Sequence, residues 1–474
     1  MKKIVLSTII LVIASASVAN AQSRTGYFVR NSTQNHYMNP AFAPDQGYVG
    51  FPFLSGVNVQ SATNFGPSTF LYPLSNGKYG LFLNGEVSSD EFLSGLKEFS
   101  YADFNIGYNL IDAGWFTGKD SFWTISLGMD VNVESSIPKE LFRFLKNGMS
   151  TDPQAYSIQN LSLGASAYAR LSVGYSRGLD EFVEGLRVGG KLNLLAGISD
   201  IQADIERLDL NLSSQSWNVK SLGSAHILGG GLVPAFDDQG YIDGVSFDPS
   251  GLGVSGFGLS FDLGAEYTIS EGTPVDGLRF SVSVTDLGFM SYGKNKSRLF
   301  TTEREFMFDG FDNLGEKGSL DAQLEELTDD LLGMASLKEE TVSEAQRGGL
   351  AATLHAGVDY SFLEDKMNVG ILYSARFGRF RTDNELTLAW NYSPVRSFNV
   401  ALSYSLLKTH TTFGWLLTFV PTKGVGIFLG SDYTSLNYTS LNFDGFKLPV
   451  PSKRVMLDVN FGLTISLGGK NSRY

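Results

Sequence analysis

The chain has 474 residues and a formal net charge of −13, with 36 Lys and Arg against 49 Asp and Glu. An acidic chain with no basic patch excludes nucleic acid as a partner, and the absence of cysteine excludes a disulfide framework and thiolate chemistry. There are 53 Gly and 13 % aromatics, but only 18 % charged residues, the balance expected of a sheet with one apolar and one polar face.

The first residues read as an export signal. Lys2 and Lys3 precede a stretch from Ile4 to Ile13 that is apolar apart from Ser7 and Thr8, and Ala19-Asn20-Ala21 is a small-x-small cleavage site. A signal peptide is therefore expected at 1–21, cleaved after Ala21. The apolar stretch is too short to span a bilayer, and Gln22 stands where a lipoprotein would need Cys. Removal leaves 453 residues and, with Lys2 and Lys3 gone, a net charge of −15. Residues 22–47 form a separate N-terminal segment.

From 48 to 467 one texture returns: apolar and polar residues alternate. Val455, Leu457, Val459, Phe461, Leu463, Ile465 and Leu467 are apolar, and Met456, Asp458, Asn460, Gly462, Thr464 and Ser466 lie between them. Period two over such a span is a strand with one apolar face. The same pattern runs through 125–133, 161–175, 257–269 and 350–362. The polar positions are mostly Ser, Gly, Thr and Asn, which suit a crowded lumen, whereas a soluble sheet presents Lys and Glu to water. The segments are also long: about 9–11 residues cross the hydrocarbon, against about 5–6 in soluble strands. The apolar face is therefore expected to meet lipid, giving an all-β, antiparallel, up-and-down transmembrane β-barrel.

Sixteen strands can be drawn, at 48–60, 67–73, 78–88, 100–111, 121–134, 160–176, 186–200, 255–270, 277–288, 349–363, 367–378, 384–393, 397–407, 411–421, 424–434 and 454–467. The first two are weak, so fourteen fit equally well. The four longest connections follow the fifth, seventh, ninth and fifteenth strands and open on one side. The other side has short turns, as outer-membrane barrels do when both termini are periplasmic. A C-terminal tail is expected at 468–474.

The long connections carry short helices. Ile137 to Leu145 reads as an amphipathic helix with Pro138 near its start, and 213–252 as a Gly- and Asp-rich loop. The largest insertion, 289–348, has Leu320, Leu324, Leu327, Leu331 and Met334 at helical spacing, with Ser319 as N-cap. Between 301 and 348 there are 4 basic and 13 acidic residues, a net of −9. A hydrated face is the preferred reading of that run over an acidic docking lid.

Motifs for chemistry are weak, and no enzyme and no cofactor is expected. Gly174-Tyr175-Ser176-Arg177-Gly178 matches G-x-S-x-G but ends a strand instead of forming a strand-turn-helix elbow. Gly251-Leu252-Gly253-Val254-Ser255-Gly256 matches G-x-G-x-x-G, yet an alternating strand follows where a dinucleotide site needs a helix. The histidines His36, His226, His355 and His410 make no metal-spaced pair, and Asp237, Asp238 and Asp243 lack the calcium-hand pattern. Polar strand faces do carry Arg170, Lys191, Asp262, Glu266, Arg279, His355, Asp359 and Asp458. These are the candidate lumen-facing groups, expected to form an internal ion-pair network in preference to a ligand lining.

Asn39-Pro40-Ala41-Phe42-Ala43-Pro44, Val173 to Arg177, Leu186 to Gly197, Phe261 to Tyr267 and Ser283 to Phe289, in that order, resemble an uncharacterised family of outer-membrane barrels. That family is similar in layout to the FadL-like long-chain fatty-acid transporters. Its Asp-Leu-Gly repeats look like strand-end turn devices. The resemblance implies a passive channel or transporter in the Gram-negative outer membrane for small molecules, hydrophobic ones included. Ser23–Gln46 would then enter the lumen as a plug. Membrane lipid and the outer-membrane insertion machinery are the expected partners, with a small-molecule ligand. The alternative is a sealed structural or docking component whose partner protein is unknown.

Overall fold

The computed structural model describes residues 23–469, except 119, 149–153, 214–215, 237–241, 270–271, 273–274, 309–336, 409, 435–437, 444–445 and 452–453. The signal peptide and its cleavage site lie outside the described residues, as do the helix expected from Ser319 to Met334 and most of the 468–474 tail. Of the calcium candidates, Asp237 and Asp238 lie outside them, and the side chain of Asp243 is not described.

The alternating segments pair, each with its neighbours, into a closed antiparallel barrel of fourteen strands. We number them β1 (Gln46–Gly50 and Gly56–Thr63), β2 (Ala102–Thr117), β3 (Ser121–Pro138), β4 (Gln154–Gly178), β5 (Leu186–Leu212), β6 (Gly256–Thr268) and β7 (Leu278–Tyr292). The second half is β8 (Ala352–Phe362), β9 (Met367–Phe377), β10 (Thr382–Val395), β11 (Phe398–Leu407), β12 (Thr411–Phe419), β13 (Gly424–Thr434) and β14 (Met456–Gly469). Closure comes from β1, which pairs with β14 on one side (Val59 opposite Val459) and β2 on the other (Val59 opposite Ile106). The expected orientation of the faces holds: Val459 is 50 % exposed and Asn460 1 %. The exterior is a belt of large apolar side chains such as Phe257, Phe261, Leu263, Val369, Ile371, Leu388 and Ile427, while Ser, Thr and Asn fill the interior positions.

Two expected strands are not in the wall. Residues 67–73 and 78–88 fold instead into a helical turn (Pro67–Phe70), a small hairpin (Leu71–Pro73 with Tyr79–Leu81) and turns that end at Ser88, the N-cap of the helix Ser89–Ser94. Pro67 and Pro73 cannot donate to a ladder. The aromatic residues that suggested alternation pack on one another instead: Phe65, Phe70, Phe82, Phe92 and Phe142 form a small core outside the barrel. Phe142 comes from the helix Lys139–Asn147, whose N-cap is Pro138. Because the lost strands are adjacent, the parity of all later ones is unchanged. Long connections still follow odd strands, here β1, β3, β5, β7 and β13.

The wall is uneven in height. β4 and β5 have 25 and 27 residues, far more than the about 9–11 that cross the hydrocarbon. The near half of β5 pairs with β6 from Leu186 to Gly197, and the far half with Trp217–Gly229 from Ser199 to Leu212. Ser297–Phe308 adds to Trp217–Gly229 on its other edge. Much of the described part of 213–252 and 289–348 is therefore an outer extension of the sheet, where the sequence suggested loops.

Candidate functional site

The interior contains a second layer, residues 23–45, which has almost no regular structure because its polar pattern matches neither period. It is held by the wall. Asp432 on β13 accepts from Ser23 Oγ (2.7 Å), Arg24 N (2.7 Å), Thr25 N (2.9 Å) and Thr25 Oγ1 (2.7 Å). Further along, wall side chains donate to its carbonyls: Asn368 to Phe28, Ser283 to Met38, Lys191 to His36 and Arg187 to Ala41. Tyr27, Phe28, Met38 and Phe42 pack with Leu372 and Ala389 of the wall. The contact at the Asn-Pro turn needs glycine. A Cβ on Gly264 would lie 2.0 Å from Asn39 Oδ1, and one on Gly189 2.1 Å from Pro40 O.

The candidate interior charges fall into separate groups. Arg170 Nε lies 3.0 Å from Asp130. Lys191 Nζ is 3.7 Å from Asp262 and sits 4.5 Å from the centre of the Tyr37 ring. Arg279 bridges Asp359 (2.8 Å) and Glu266 (3.3 Å). His355 shares a hydrogen bond of 2.8 Å with Ser374, and Asp458 accepts from Asn58, Asn460 and Asp432 N. Seven of the eight are buried, and Glu266 is half-buried. Ser176, the G-x-S-x-G serine, lies within paired β4 and accepts from Arg187 at 2.9 Å.

A further group, unsuspected from the sequence, crosses the lumen. The turn 378–381 between β9 and β10 reaches the wall six and seven strands away, at β3 and β2, and also β5. Arg379 forks onto Asp200 of β5 (2.5 and 3.1 Å) and donates to Ile201 O, and its backbone N–H goes to Glu134 of β3 at 2.9 Å. Arg376 pairs with the same Glu134 at 2.6 Å, and Arg381 pairs with Asp103 of β2. Three arginines within six residues of a tight turn were the only sign in the sequence.

Between this roof and the luminal segment lies a chamber of about 200 Å³. Arg24, Tyr37 and Met38 of the segment border it, with Asn105, Asp130, Asp286 and His355 among its wall residues and Arg379 at the roof. Asp262 and Asp286, from the two Asp-Leu-Gly repeats, are not at strand ends. They face each other inside β6 and β7 at a bulge, where Asp262 Oδ1 accepts from Asp286 N at 2.8 Å.

His36 stands at the edge of this arrangement. Its Nε2 is 2.7 Å from the Tyr48 hydroxyl, which donates to Asp112, and its ring lies 4.2 Å from that of Tyr37. Burial, with Lys191 and Arg170 nearby, pushes the imidazole well below its usual range.

The model of a family of unknown function, DUF5723, matches residues 40–432, from the Asn-Pro turn to the Asp432 anchor. The chain belongs to that family. No curated protein matches it in sequence. Among solved structures, a mutant of the TodX monoaromatic hydrocarbon channel is similar at 11 % identity, with 95 % of this chain and 97 % of that one covered and a TM-score of 0.40. The toluene transporter TbuX of Ralstonia pickettii is similar at 8 % identity, covering 91 % and 92 %, with a TM-score of 0.35. An outer-membrane channel of Pseudomonas putida F1 is similar at 10 % identity, covering 90 % and 97 %, with a TM-score of 0.27.

Proposed function

We propose that this DUF5723 member is a passive outer-membrane channel or transporter for small molecules, held shut by its own N-terminal segment. The observation that carries the reading is the chamber of about 200 Å³ left above residues 23–45. A scaffold has no use for such a space, and small barrels fill theirs with side chains. The segment blocks the side of the short turns: Asn31 donates to Arg396 O, beside the turn between β10 and β11. Hydrophobic cargo, implied by the FadL-like layout, would meet Met38 and Leu350 there and an otherwise largely polar lining.

The test is single-channel conductance of the full mature protein and of a variant lacking 23–46, both first shown to be folded by heat-modifiable migration. The deletion is expected to raise conductance several-fold. A folded deletion barrel that stays silent would sink the channel reading and favour the sealed docking component.

A further inference from the structure

We propose that the chamber is a binding site for a small polar solute carrying a protonated amine, and that the Asp286 carboxylate holds that amine. This deepens the channel reading and rests on it.

The first observation is a charge count within the lining. Arg24 pairs with Glu385 (3.4 Å), Arg170 with Asp130 (3.0 Å), Arg376 with Glu134 (2.6 Å) and Arg379 with Asp200 (2.5 Å). Every chamber cation is thereby committed to a carboxylate. Asp286 also lines the chamber. Among the described residues, no donor is within hydrogen-bond or ion-pair distance of its carboxylate. Asp286 is half-buried and feels Arg170 and Lys191 only beyond ion-pair distance, and a carboxylate so placed gains from a cation brought into direct contact.

The second observation is how Asp286 comes to face inward. Opposite β6, Val284 pairs with Leu263 and Leu287 with Phe261, so Thr285 and Asp286 together stand against Asp262. The bulge shifts the inward face of β7 from Ser281, Ser283 and Thr285 to Met290 and Tyr292. Asp286 takes the extra place with φ +56°, a left-handed backbone that a non-glycine residue adopts only under constraint. The buried Asp262 carboxylate fixes its N–H. Bulges of this kind re-aim a single side chain, and here the side chain re-aimed is the unpaired acid.

The third observation is the sense of the remaining hydrogen-bonding capacity. Asn105 has given its Nδ2 to Gln60, and its buried Oδ1 has no partner. That leaves an unsatisfied acceptor on the same chamber lining as Asp286. An anionic solute would meet no uncommitted cation. An ammonium group supplies both the charge and the donors. The volume, room for on the order of ten waters, suits an amine the size of an amino sugar.

The experiment is calorimetric titration of the full mature protein in detergent with glucosamine, glucose and N-acetylglucosamine, which keep the ring and differ in the amine. Glucosamine is expected to bind saturably, at least tenfold tighter than the other two, and Asp286→Asn should remove that preference. Equal affinities, or an unchanged preference in a folded Asp286→Asn barrel, would overturn the site. The sugar series on the wild-type protein decides even if that variant fails to fold. Arg379→Ala, which frees the roof, separates absence of binding from absence of entry: no saturable glucosamine binding in either protein also overturns the site. Amine preference alongside a silent 23–46 deletion would keep the site and sink the channel. Conductance without amine preference would do the reverse.

Discussion

His36 is neutral in its seat, because burial and the cations Lys191 and Arg170 oppose its protonation while Tyr48, backed by Asp112, occupies its Nε2. Released into water, the same imidazole would titrate near 6.5. The free segment therefore binds more protons than the seated one at acid pH. His36's contribution to seating is fully present above about 6.5 and is lost as pH falls below it. Lowering pH from 7.5 to 5 is expected to raise open probability in planar bilayers, and His36→Asn should flatten that response. An identical pH response in the two proteins would remove His36 from the account. This role was not readable beforehand, since a lone histidine in an irregular stretch has no period to place it. Gly189 and Gly264 were in stretches that resembled the family, yet only the fold puts them against Asn39 and Pro40.

Among elements, the turn 378–381 is anchored by charge, with the Arg381 guanidinium also lying over the Tyr101 ring. Breaking a buried ion pair by removing one partner costs about 3–5 kcal/mol, because the other charge is left stranded. Arg379 and Asp200 are 13 % and 1 % exposed, so the roof should depend heavily on that fork. Arg379→Ala is expected to raise open probability at least tenfold in bilayer recordings, and Arg379→Lys to recover only part, since an ammonium lacks the planar fork. Recordings of Arg379→Ala that match wild type would mean the turn bears no part of the seal. Its partners on β5, β3 and β2 lie 178 and more residues away in sequence, beyond what any local pattern can reveal. The wall strands were legible because alternation is local: the limits 424–434 were read as they stand, and most others to within a few residues. The error at 67–88 has the same origin, since aromatic residues packed in a small core can mimic a short alternating run.

For the whole molecule, the apolar exterior is the property that separates a membrane barrel from a soluble one. Val459→Arg is expected to cost about 2–4 kcal/mol if it sits near the bilayer midplane, measured by reversible urea unfolding from vesicles, with Val459→Leu near neutral. No loss in the arginine variant would contradict the placement of that face against lipid. Strand number within 14–16 could not be fixed from sequence, because pairing partners decide it and period does not. The interior was legible only as a set of inward charges. Asp286 was not among them, because a two-residue bulge and not the strand period brings it to the chamber.

Asp432 receives Ser23, Arg24 and Thr25 across more than 400 residues of chain. That anchor lies on the thirteenth of fourteen strands. The seat of residues 23–25 therefore does not exist until β13 has joined the wall, so closing this end of the luminal segment requires a strand near the far end of the chain.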